Sequence, residues 1–245
     1  MNSYINFKRE EIERPIYRFM SFARLIELFR TRNLGLVRTS KWDDPFENLI
    51  VSARYKHGNG GWDSVLRRVL HGSCWTRKSV SDALWRIYSP DKLSVRIAST
   101  PALLGSALDQ ALKKRPNSKW FVGRVKYLPQ SIIIKNATKL AKQIVDDKSD
   151  KSAAQSVLFK RRSFSHEDEV RVLVIDRHNQ SKGGIIRLNV DPHEIIKSIM
   201  IDSRTPVDIA DMYKNHLKQQ LGFKGRISMS TLYDLPDKLI VELEK

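Results

Sequence analysis

The sequence predicts a single α+β domain. Its 245 residues suit one large domain or two small ones, and 41% of them are hydrophobic, which is enough for a core. Segments with strand-like and helix-like apolar spacing follow one another, and no linker, internal repeat or low-complexity stretch divides them. We therefore expect one domain over residues 1–245, in which residues 1–14 form a loose lead-in.

The first half of the chain contains both strands and helices. Residues 22–32 are predicted to be a helix, because their apolar side chains recur every 3.6 residues and Ser21 can cap the first turn. Asn33 and Gly35 are expected to end this helix. The other segments predicted before residue 128 are strands at 15–20, 34–37, 72–76, 93–97 and 120–127 and helices at 62–70, 80–88 and 101–114.

The second half has the same mixture. A helix over 137–158 is predicted to break near 148–150, and another is expected from Thr205, as its cap, to Leu221. Gly183-Gly184 is typical of a hairpin turn, which predicts that its flanking strands pair with each other. The strands predicted here are 170–176, 185–190, 196–201 and 226–229.

A charged segment leads into the strand predicted at 170–176. Glu167, Glu169 and Arg171 are spaced by two, so in an extended chain all three point the same way, away from the valines. A Glu-x-Glu pair at a strand end can perform acid–base chemistry or stabilise a cation on a bound ligand. The alternative is a solvated strand with a cross-strand ion pair, which contributes little to stability.

The net charge of the chain indicates which classes of partner it binds. A formal net charge of +17 and a pI of about 10.0 favour a polyanionic partner such as nucleic acid, the ribosome or an acidic membrane, although a merely basic surface would give the same numbers. Cys74 is the only cysteine, so neither a disulfide framework nor a zinc knuckle is possible, and a reducing cytoplasmic setting fits. No apolar run resembles a signal peptide or approaches the length of a membrane span.

Three further clusters suggest binding functions. Aromatic and basic residues interleave over 75–88, as in a stacking platform for a base or a single strand, unless the aromatics simply belong to the core. Lys160, Arg161 and Arg162 precede the acid pair and would raise the local concentration of anions. The loop at 39–47 contains acids and aromatics and could line a pocket or form an ordinary Asp-Pro turn.

Several common catalytic motifs are absent. The sequence has no Gly-Lys-Ser phosphate loop and no Gly-x-Gly-x-x-Gly fingerprint, and its six histidines are scattered. A metal-dependent nuclease using Asp44, Glu47, Glu167 and Glu169 stays open, because carboxylates around a strand can hold Mg²⁺. A non-catalytic RNA-binding module with a structural acid pair also stays open.

Taken in order, short motifs along residues 16–202 resemble a bacterial and phage family long described as a domain of unknown function. The motifs are Tyr17-Arg18, Trp42-Asp43-Asp44-Pro45-Phe46-Glu47, Ser73-Cys74-Trp75-Thr76, Leu84-Trp85-Arg86-Ile87-Tyr88 and His166-Glu167-Asp168-Glu169-Val170-Arg171. That family is similar to the ADP-ribosyltransferase superfamily, in which an early Arg or His, a Ser-centred strand and a Glu-x-Glu surround NAD. The resemblance implies a mixed, split β-sheet core flanked by helices.

The resemblance also implies roles. Glu169 would stabilise the oxocarbenium-like ribose that forms as nicotinamide leaves, Glu167 would orient or deprotonate the acceptor, and Arg18 would bind the NAD pyrophosphate. The remaining residues expected around NAD are Ser73, Trp75, Thr76, Trp85 and Tyr88. Those expected to contact the acceptor are Asp44, Glu47, Arg77, Lys78, Lys160, Arg161, Arg162 and Arg171.

With the basic charge, the resemblance implies a cytoplasmic enzyme that acts on nucleic acid, with RNA favoured, and that binds neither membrane nor metal. A small transferase of this kind would harm its host, so we expect a toxin or phage-defence role and a possible antitoxin protein.

Overall fold

The computed structural model describes residues 3–57, 60–147, 149–177, 181 and 183–235. The strands are β1 (Tyr4–Ile5), β2 (Ile16–Ser21), β3 (Asn33–Arg38), β4 (Arg54–His57), β5 (Gly60–Asp63), β6 (Leu70–Thr76), β7 (Ser94–Ser99), β8 (Lys119–Arg124), β9 (Lys126–Leu128), β10 (Phe159–Arg161), β11 (Glu169–Ile175), β12 (Ile185–Asn189), β13 (Ser198–Ile201) and β14 (Arg226–Met229). The helices are α1 (Phe22–Thr31), α2 (Leu66–Val69), α3 (Asp82–Tyr88), α4 (Pro101–Leu112), α5 (Gln130–Asp147), α6 (Asp150–Gln155), α7 (Pro192–Ile195) and α8 (Val207–Asn215). Each helix in this part of the chain is too short or too polar to cross a bilayer.

The predicted α+β class is confirmed, with one large mixed sheet at its centre. Eight strands follow the order β1-β8-β11-β6-β2-β7-β13-β14, while β3 pairs with β6 and β12 pairs with β3. The β1–β8 and β13–β14 pairs are parallel, and the other pairs in this sheet are antiparallel. Two small ribbons, β4–β5 and β9–β10, lie outside it.

The sheet divides at β6. One edge of β6 pairs with β11 along its whole length. On the other edge, Thr76 pairs with Tyr17 of β2, whereas Gly72 pairs with Val37 of β3. Strands β2 and β3 therefore adjoin the same edge at different ends, and they leave a cleft between them.

Strand β11 is buried on both faces, which fixes its central position. Val170, Val172 and Val174 pack into the larger hydrophobic cluster, together with residues of α1 and α4. Leu173 and Ile175 pack into a second cluster on the opposite face, with residues of α5 and α6. The alternation predicted from the sequence is present, and Glu169 and Arg171 lie on the face of the second cluster.

The N-terminal segment is not the loose lead-in that we expected. Tyr4 and Ile5 form a parallel pair with β8, and Ile5 is buried. The carboxylate of Glu11 accepts a hydrogen bond from Arg124 at 2.8 Å. The polar composition of residues 1–14 does not reveal these partners, because they are distant in the sequence.

The hairpin prediction at Gly183-Gly184 is also wrong. Both glycines have positive φ angles, 62° and 82°, as a tight turn requires. However, β12 pairs with β3, and β11 pairs with β6 and β8. Local turn chemistry predicted the turn but could not identify the partner strand.

Several helix and strand limits also differ from the predictions. Ser21 caps α1 as expected, but Arg32 ends this helix in the left-handed region, and Asn33 and Gly35 belong to β3. The helix predicted over 62–70 is a strand followed by one short helix, and the strand predicted over 120–127 is two strands. The long helix does break near 149, although Lys148 itself lies outside the described residues. Thr205 donates to the Lys92 carbonyl rather than capping α8.

Candidate functional site

A buried cluster of acids surrounds the side chain of Lys160. Its Nζ lies 3.1 Å from Oε1 of Glu47 and 3.6 Å from Oε1 of Glu169, and it donates a hydrogen bond to Oε2 of Glu167. Lys160 and the carboxylates of Glu47 and Glu169 are each less than 10% exposed. Charges at this depth are stable only when they are paired.

Arg171 completes the cluster. It is fully buried, and its guanidinium donates from Nε to Oε2 of Glu169 at 2.8 Å and from Nη1 to the Val157 carbonyl at 2.6 Å. Its Nη2 lies 2.9 Å from Oε2 of Glu47, and the ring of Trp42 lies 4.4 Å below the guanidinium carbon. Arg171 therefore holds the carboxylates of both Glu169 and Glu47 in place.

The cluster is short of positive charge. Two cations face three carboxylates, so one acid is only partly compensated. Burial raises the pKa of the Glu167 carboxyl; the hydrogen bond from Lys160 opposes this shift, and the negative charge of Glu169 adds to it. A carboxylate with a raised pKa is a suitable general base near neutral pH.

A sharp backbone turn places the two acids. Glu167 ends a 3-10 helix, Asp168 adopts the left-handed conformation with φ 41°, and Glu169 begins β11. The chain is therefore not extended from Glu167 to Arg171, so the shared side-chain direction expected for an extended segment does not apply to Glu167. Both carboxylates still reach Lys160, because the turn offsets the change in side-chain direction.

A cavity of about 200 Å³ opens beside the acid pair. Glu167 and Glu169 line one wall, β2 contributes Arg18, and Thr76 and Tyr88 come from β6 and α3. The cavity lies where β2 leaves β6, at the end of the cleft in the sheet. It is smaller than most small-molecule sites, which measure about 300–1,000 Å³, so it can enclose one end of a dinucleotide.

Arg18 and Arg24 extend the site into a second cavity. Both arginines line the first cavity and also a neighbouring one of about 320 Å³ between α1 and β3. Neither guanidinium has an acidic or hydrogen-bonding partner within the described residues. Burial lowers the pKa of Arg18, and the charge of Arg24 adds to this shift. Two cations without an acidic partner at the junction of two cavities are chemically suited to an anionic group.

Two other side chains in the first cavity are kept neutral. Burial raises the pKa of Tyr88 to about 12, and the charges of Glu167 and Glu169 add to the effect. Burial and the charge of Glu169 likewise raise the pKa of Cys74 to about 12. Cys74 therefore has none of the thiolate character that a nucleophile needs.

The structure corrects three of the residues expected around NAD. Ser73 and Trp75 pair with Val172 and Val170, so their side chains lie on the face opposite Glu169. Ser73 is buried outside the cavity, and Trp75, although part of the lining, is 2% exposed within the core. Trp85 is fully buried against Phe19 and cannot stack on a ligand.

Four of the residues expected to contact the acceptor have partners inside the protein. Glu47, Lys160 and Arg171 are buried in the acid cluster, where no nucleic acid can reach them. Asp44 accepts a hydrogen bond from the Phe46 backbone, as in an ordinary Asp-Pro turn, and pairs with Arg161. These side chains support the site and are not its binding surface.

The other predicted cations remain accessible. The guanidinium of Arg161 lies 4.8 Å from the ring of Phe46 and 5.3 Å from that of Phe164, and it is half-buried. Arg162 and Lys78 are exposed, and Arg77 lies 3.8 Å from Glu11. These four residues border the region of the acid pair, and their contact with an acceptor stays a prediction.

The sequence does not indicate that Arg24 and Tyr127 belong to the site, and it places Trp42 only in a loop that could line a pocket. Arg24 lies in the first turn of α1, next to the end of β2. The only sequence signal for its position was Ser21, which predicted where α1 begins. Tyr127 accepts a hydrogen bond from the Glu169 backbone N–H at 2.8 Å, and Trp42 packs on Arg171. Their partners are more than 40 residues away, so spacing gave no signal.

Comparison with known proteins gives a remote likeness. Three solved structures of DarT from Thermus sp. 2.9, in complex with carba-NAD⁺, with ADP-ribosylated ssDNA and with NAD⁺, are 15%, 14% and 14% identical to this chain. The alignments cover 91%, 89% and 89% of this chain and 97%, 94% and 96% of those chains, with TM-scores of 0.37, 0.40 and 0.39. At these TM-scores the likeness assigns no role to any residue. No family model matches the chain, and no curated protein matches it.

Proposed function

We propose that the chain is an NAD-dependent ADP-ribosyltransferase that modifies nucleic acid. One observation carries the proposal: Arg18, Glu167 and Glu169, far apart in the sequence, line the same cavity. The acids and the unpaired arginine are therefore close enough to act on one dinucleotide, with a carboxylate for the cation that forms at the ribose and a guanidinium for the pyrophosphate.

The two acids have different roles in the proposed reaction. The C1′–N bond of NAD breaks, nicotinamide leaves with the bonding electron pair, and the ribose becomes oxocarbenium-like. Arg171 holds Oε2 of Glu169 with two hydrogen bonds, so Oε1, which has the longer 3.6 Å contact with Nζ of Lys160, is the oxygen that would stabilise this cation. A nucleophilic atom of the acceptor then bonds to C1′, and its proton passes to Glu167, whose raised pKa suits a base.

The paired cavities would divide the dinucleotide. The nicotinamide end fits the smaller cavity, next to the acids and the neutral ring of Tyr88. The pyrophosphate would lie between Arg18 and Arg24, whose guanidinium groups have no other partner in the described part of the chain. The second nucleoside would extend into the larger cavity between α1 and β3.

The acceptor is inferred from charge. A net charge of +17 favours a polyanion, and exposed cations such as Lys78 and Arg162 border the site. We favour RNA over DNA, and we propose a cytoplasmic toxin or phage-defence role, in which a protein antitoxin would restrain the enzyme. No part of this proposal involves a membrane.

The nuclease alternative is less well supported. The ammonium group of Lys160 occupies the space between the carboxylates of Glu47, Glu167 and Glu169. A cation already compensates these acids, so they do not form an open carboxylate site of the kind that Mg²⁺ requires.

The test uses NAD labelled in its adenylate moiety, with single-stranded RNA, single-stranded DNA or neither, and with or without a chelator. We expect label on RNA that survives chelation. Chelator-sensitive shortening of the RNA would support the nuclease, retention without chemistry would support a binding module, and label on DNA alone would correct the acceptor.

The decisive variant is Glu169→Gln. It should reduce transfer at least about 100-fold, because the developing cation loses its counter-charge, while the fold persists. Glu194→Gln, an exposed residue on α7, is the matched control and should retain full activity. Full activity in Glu169→Gln would refute the catalytic assignment.

A further inference from the structure

A third cleft lies on the other side of the β9–β10 ribbon. Register pairs Lys160 with Tyr127 and Phe159 with Lys126. Lys160 and Tyr127 reach the acid pair, so their neighbours face the opposite side of the ribbon. There, Lys126 and Phe159 line a cavity of about 480 Å³ against helix α5. The same two strands therefore support both the catalytic acids and this cleft.

The lining of the cleft is polar where α5 meets it. Ile132, Asn136, Lys139 and Gln143 are spaced by four, three and four residues, so they form one stripe along the helix. The stripe borders an open cleft, because Ile132 and Lys139 are exposed and Asn136 and Gln143 are half-buried, and three of its four residues are polar. The α5 face therefore presents hydrogen-bonding groups to the cleft.

The amides in this cleft have unused hydrogen-bonding capacity. Asn136, Gln143 and Gln155 are half-buried, and their side chains have no hydrogen-bond partner within the described residues. Asn6 uses its N–H group on the Arg124 carbonyl at 2.8 Å and keeps its oxygen available. An amide offers both donors and an acceptor, which matches the edge of a nucleobase.

The charged rim and the apolar floor of the cleft indicate further features of a ligand that would fit it. Lys126 and Lys139 are exposed at its rim, and no acid belongs to the lining formed by the described residues. Leu140 and Leu158 are buried beneath it, and Phe159 contributes a half-buried ring. An apolar floor, amide walls and a cationic rim suit a flat base that carries a phosphate.

We propose that this cleft binds an unpaired nucleotide of the acceptor strand, next to the nucleotide that is modified. The amides would contact the base edge, and the lysines would contact the flanking phosphates. This inference rests on the proposed nucleic-acid acceptor. The site would select single-stranded over paired substrate, because base pairing hides the edge that the amides contact.

The test measures binding without NAD, by fluorescence anisotropy of a labelled single-stranded RNA 12-mer over a range of salt concentrations. Lys139→Ala should weaken binding and lower the salt slope by about one. Lys142→Ala removes the same charge from an exposed position on the same helix, outside the cleft, and should leave the slope unchanged. Equal slopes for the two variants would overturn the site.

The amide contact is tested separately. Gln143→Ala should weaken binding about three- to tenfold, and this difference should vanish with an abasic 12-mer. Gln110→Ala, an exposed amide on α4, is the control and should bind as the unaltered chain does. Unchanged affinity in Gln143→Ala would overturn the proposal. So would competition by free nucleoside monophosphate as strong as that by unlabelled 12-mer.

These outcomes are distinct from those of the transfer test. Binding is measured without NAD, so loss of transfer in Glu169→Gln leaves the binding result unaffected. Conversely, if the cleft binds no nucleotide, the proposed contact with the acceptor strand is wrong, but the catalytic assignment is unaffected. Thermal unfolding of each variant confirms that the changes act on binding.

Discussion

Arg171 binds one oxygen of Glu169, and the ammonium group of Lys160 lies near the other. Its Nε donates to Oε2 at 2.8 Å and its Nη2 donates to the same oxygen, while Oε1 lies 3.6 Å from Nζ of Lys160, and Glu169 is one of the residues that line the cavity. The carboxylate therefore cannot rotate without losing two charged hydrogen bonds. This arrangement orients a negative charge before any ligand arrives, as electrostatic stabilisation of a cation requires.

Replacement of Arg171 should destabilise the protein strongly. Arg171→Met would leave Glu169 and Glu47 buried with Lys160 as their only cation, which costs about 3–5 kcal/mol in the free energy of unfolding. Urea unfolding at pH 7 measures this loss. Lys214→Met, which breaks a surface pair with Asp211, should change little. Equal stability in the two variants would show that the buried pair is not required.

The parts of this fold that were predictable are local. The alternating valines of β11 identified its apolar face, and Ser21 identified the start of α1, because each signal lies within a few residues. Pairing is not local: the Gly183-Gly184 turn was recognised, but β12 pairs with a strand about 150 residues earlier. The sequence therefore predicts individual strands and helices better than it predicts which strands pair with each other.

The candidate site shows the same division. Glu167 and Glu169 were identified from their spacing, and Arg18 from a short motif near the start of the chain. Ser73 and Trp75 were assigned to the cavity from the same kind of motif, but their register with β11 turns both side chains to the other face, and of the two only Trp75 contributes to the cavity lining. Only the pairing of strands decides that question, and single-sequence spacing contains no information about it.

The hydrogen bond between Lys160 and Glu167 should set the pH dependence of transfer. Glu167 must be ionised to accept a proton, so the rate should rise with pH through its raised pKa. The bond to Lys160 lowers that pKa, and Lys160→Met should therefore move the acidic limb of the rate profile to higher pH. Lys78→Met removes the same charge from an exposed position and should not move the limb.

The stability of the same variant gives an independent check. Glu167 has a folded pKa above its unfolded value, so its protonated form favours the fold, and this contribution is lost as pH rises through the folded pKa. Without Lys160 the cost of ionising Glu167 increases. Lys160→Met should therefore lose more stability at pH 8 than at pH 5. A loss of stability that does not depend on pH would show that Lys160 does not affect the ionisation of Glu167.

Arg18 should strengthen NAD binding, while it lowers the stability of the protein without NAD. Burial lowers its pKa and it has no acidic partner in the described segments, so its charge is a cost until an anion binds. Arg18→Met should weaken NAD binding at least about tenfold, as calorimetry measures, while thermal stability is unchanged or higher. Arg30→Met, an exposed residue on α1, should alter neither quantity. A less stable Arg18→Met would indicate a structural role instead.

Gly72 should connect packing in the core to the acid cluster. A Cβ at this position would lie 2.6 Å from the Trp42 ring and 3.0 Å from Leu173, and Trp42 packs on the guanidinium of Arg171. Gly72→Ala should therefore displace Trp42, cost about 1–3 kcal/mol in urea unfolding and lower transfer through Arg171 and Glu169. Gly35→Ala is the matched control for stability alone, because its Cβ would meet Ile185 at an ordinary 3.6 Å but Gly35 lines the larger cavity. The coupling would be disproved if Gly72→Ala lost stability but kept full activity under conditions where the protein is folded.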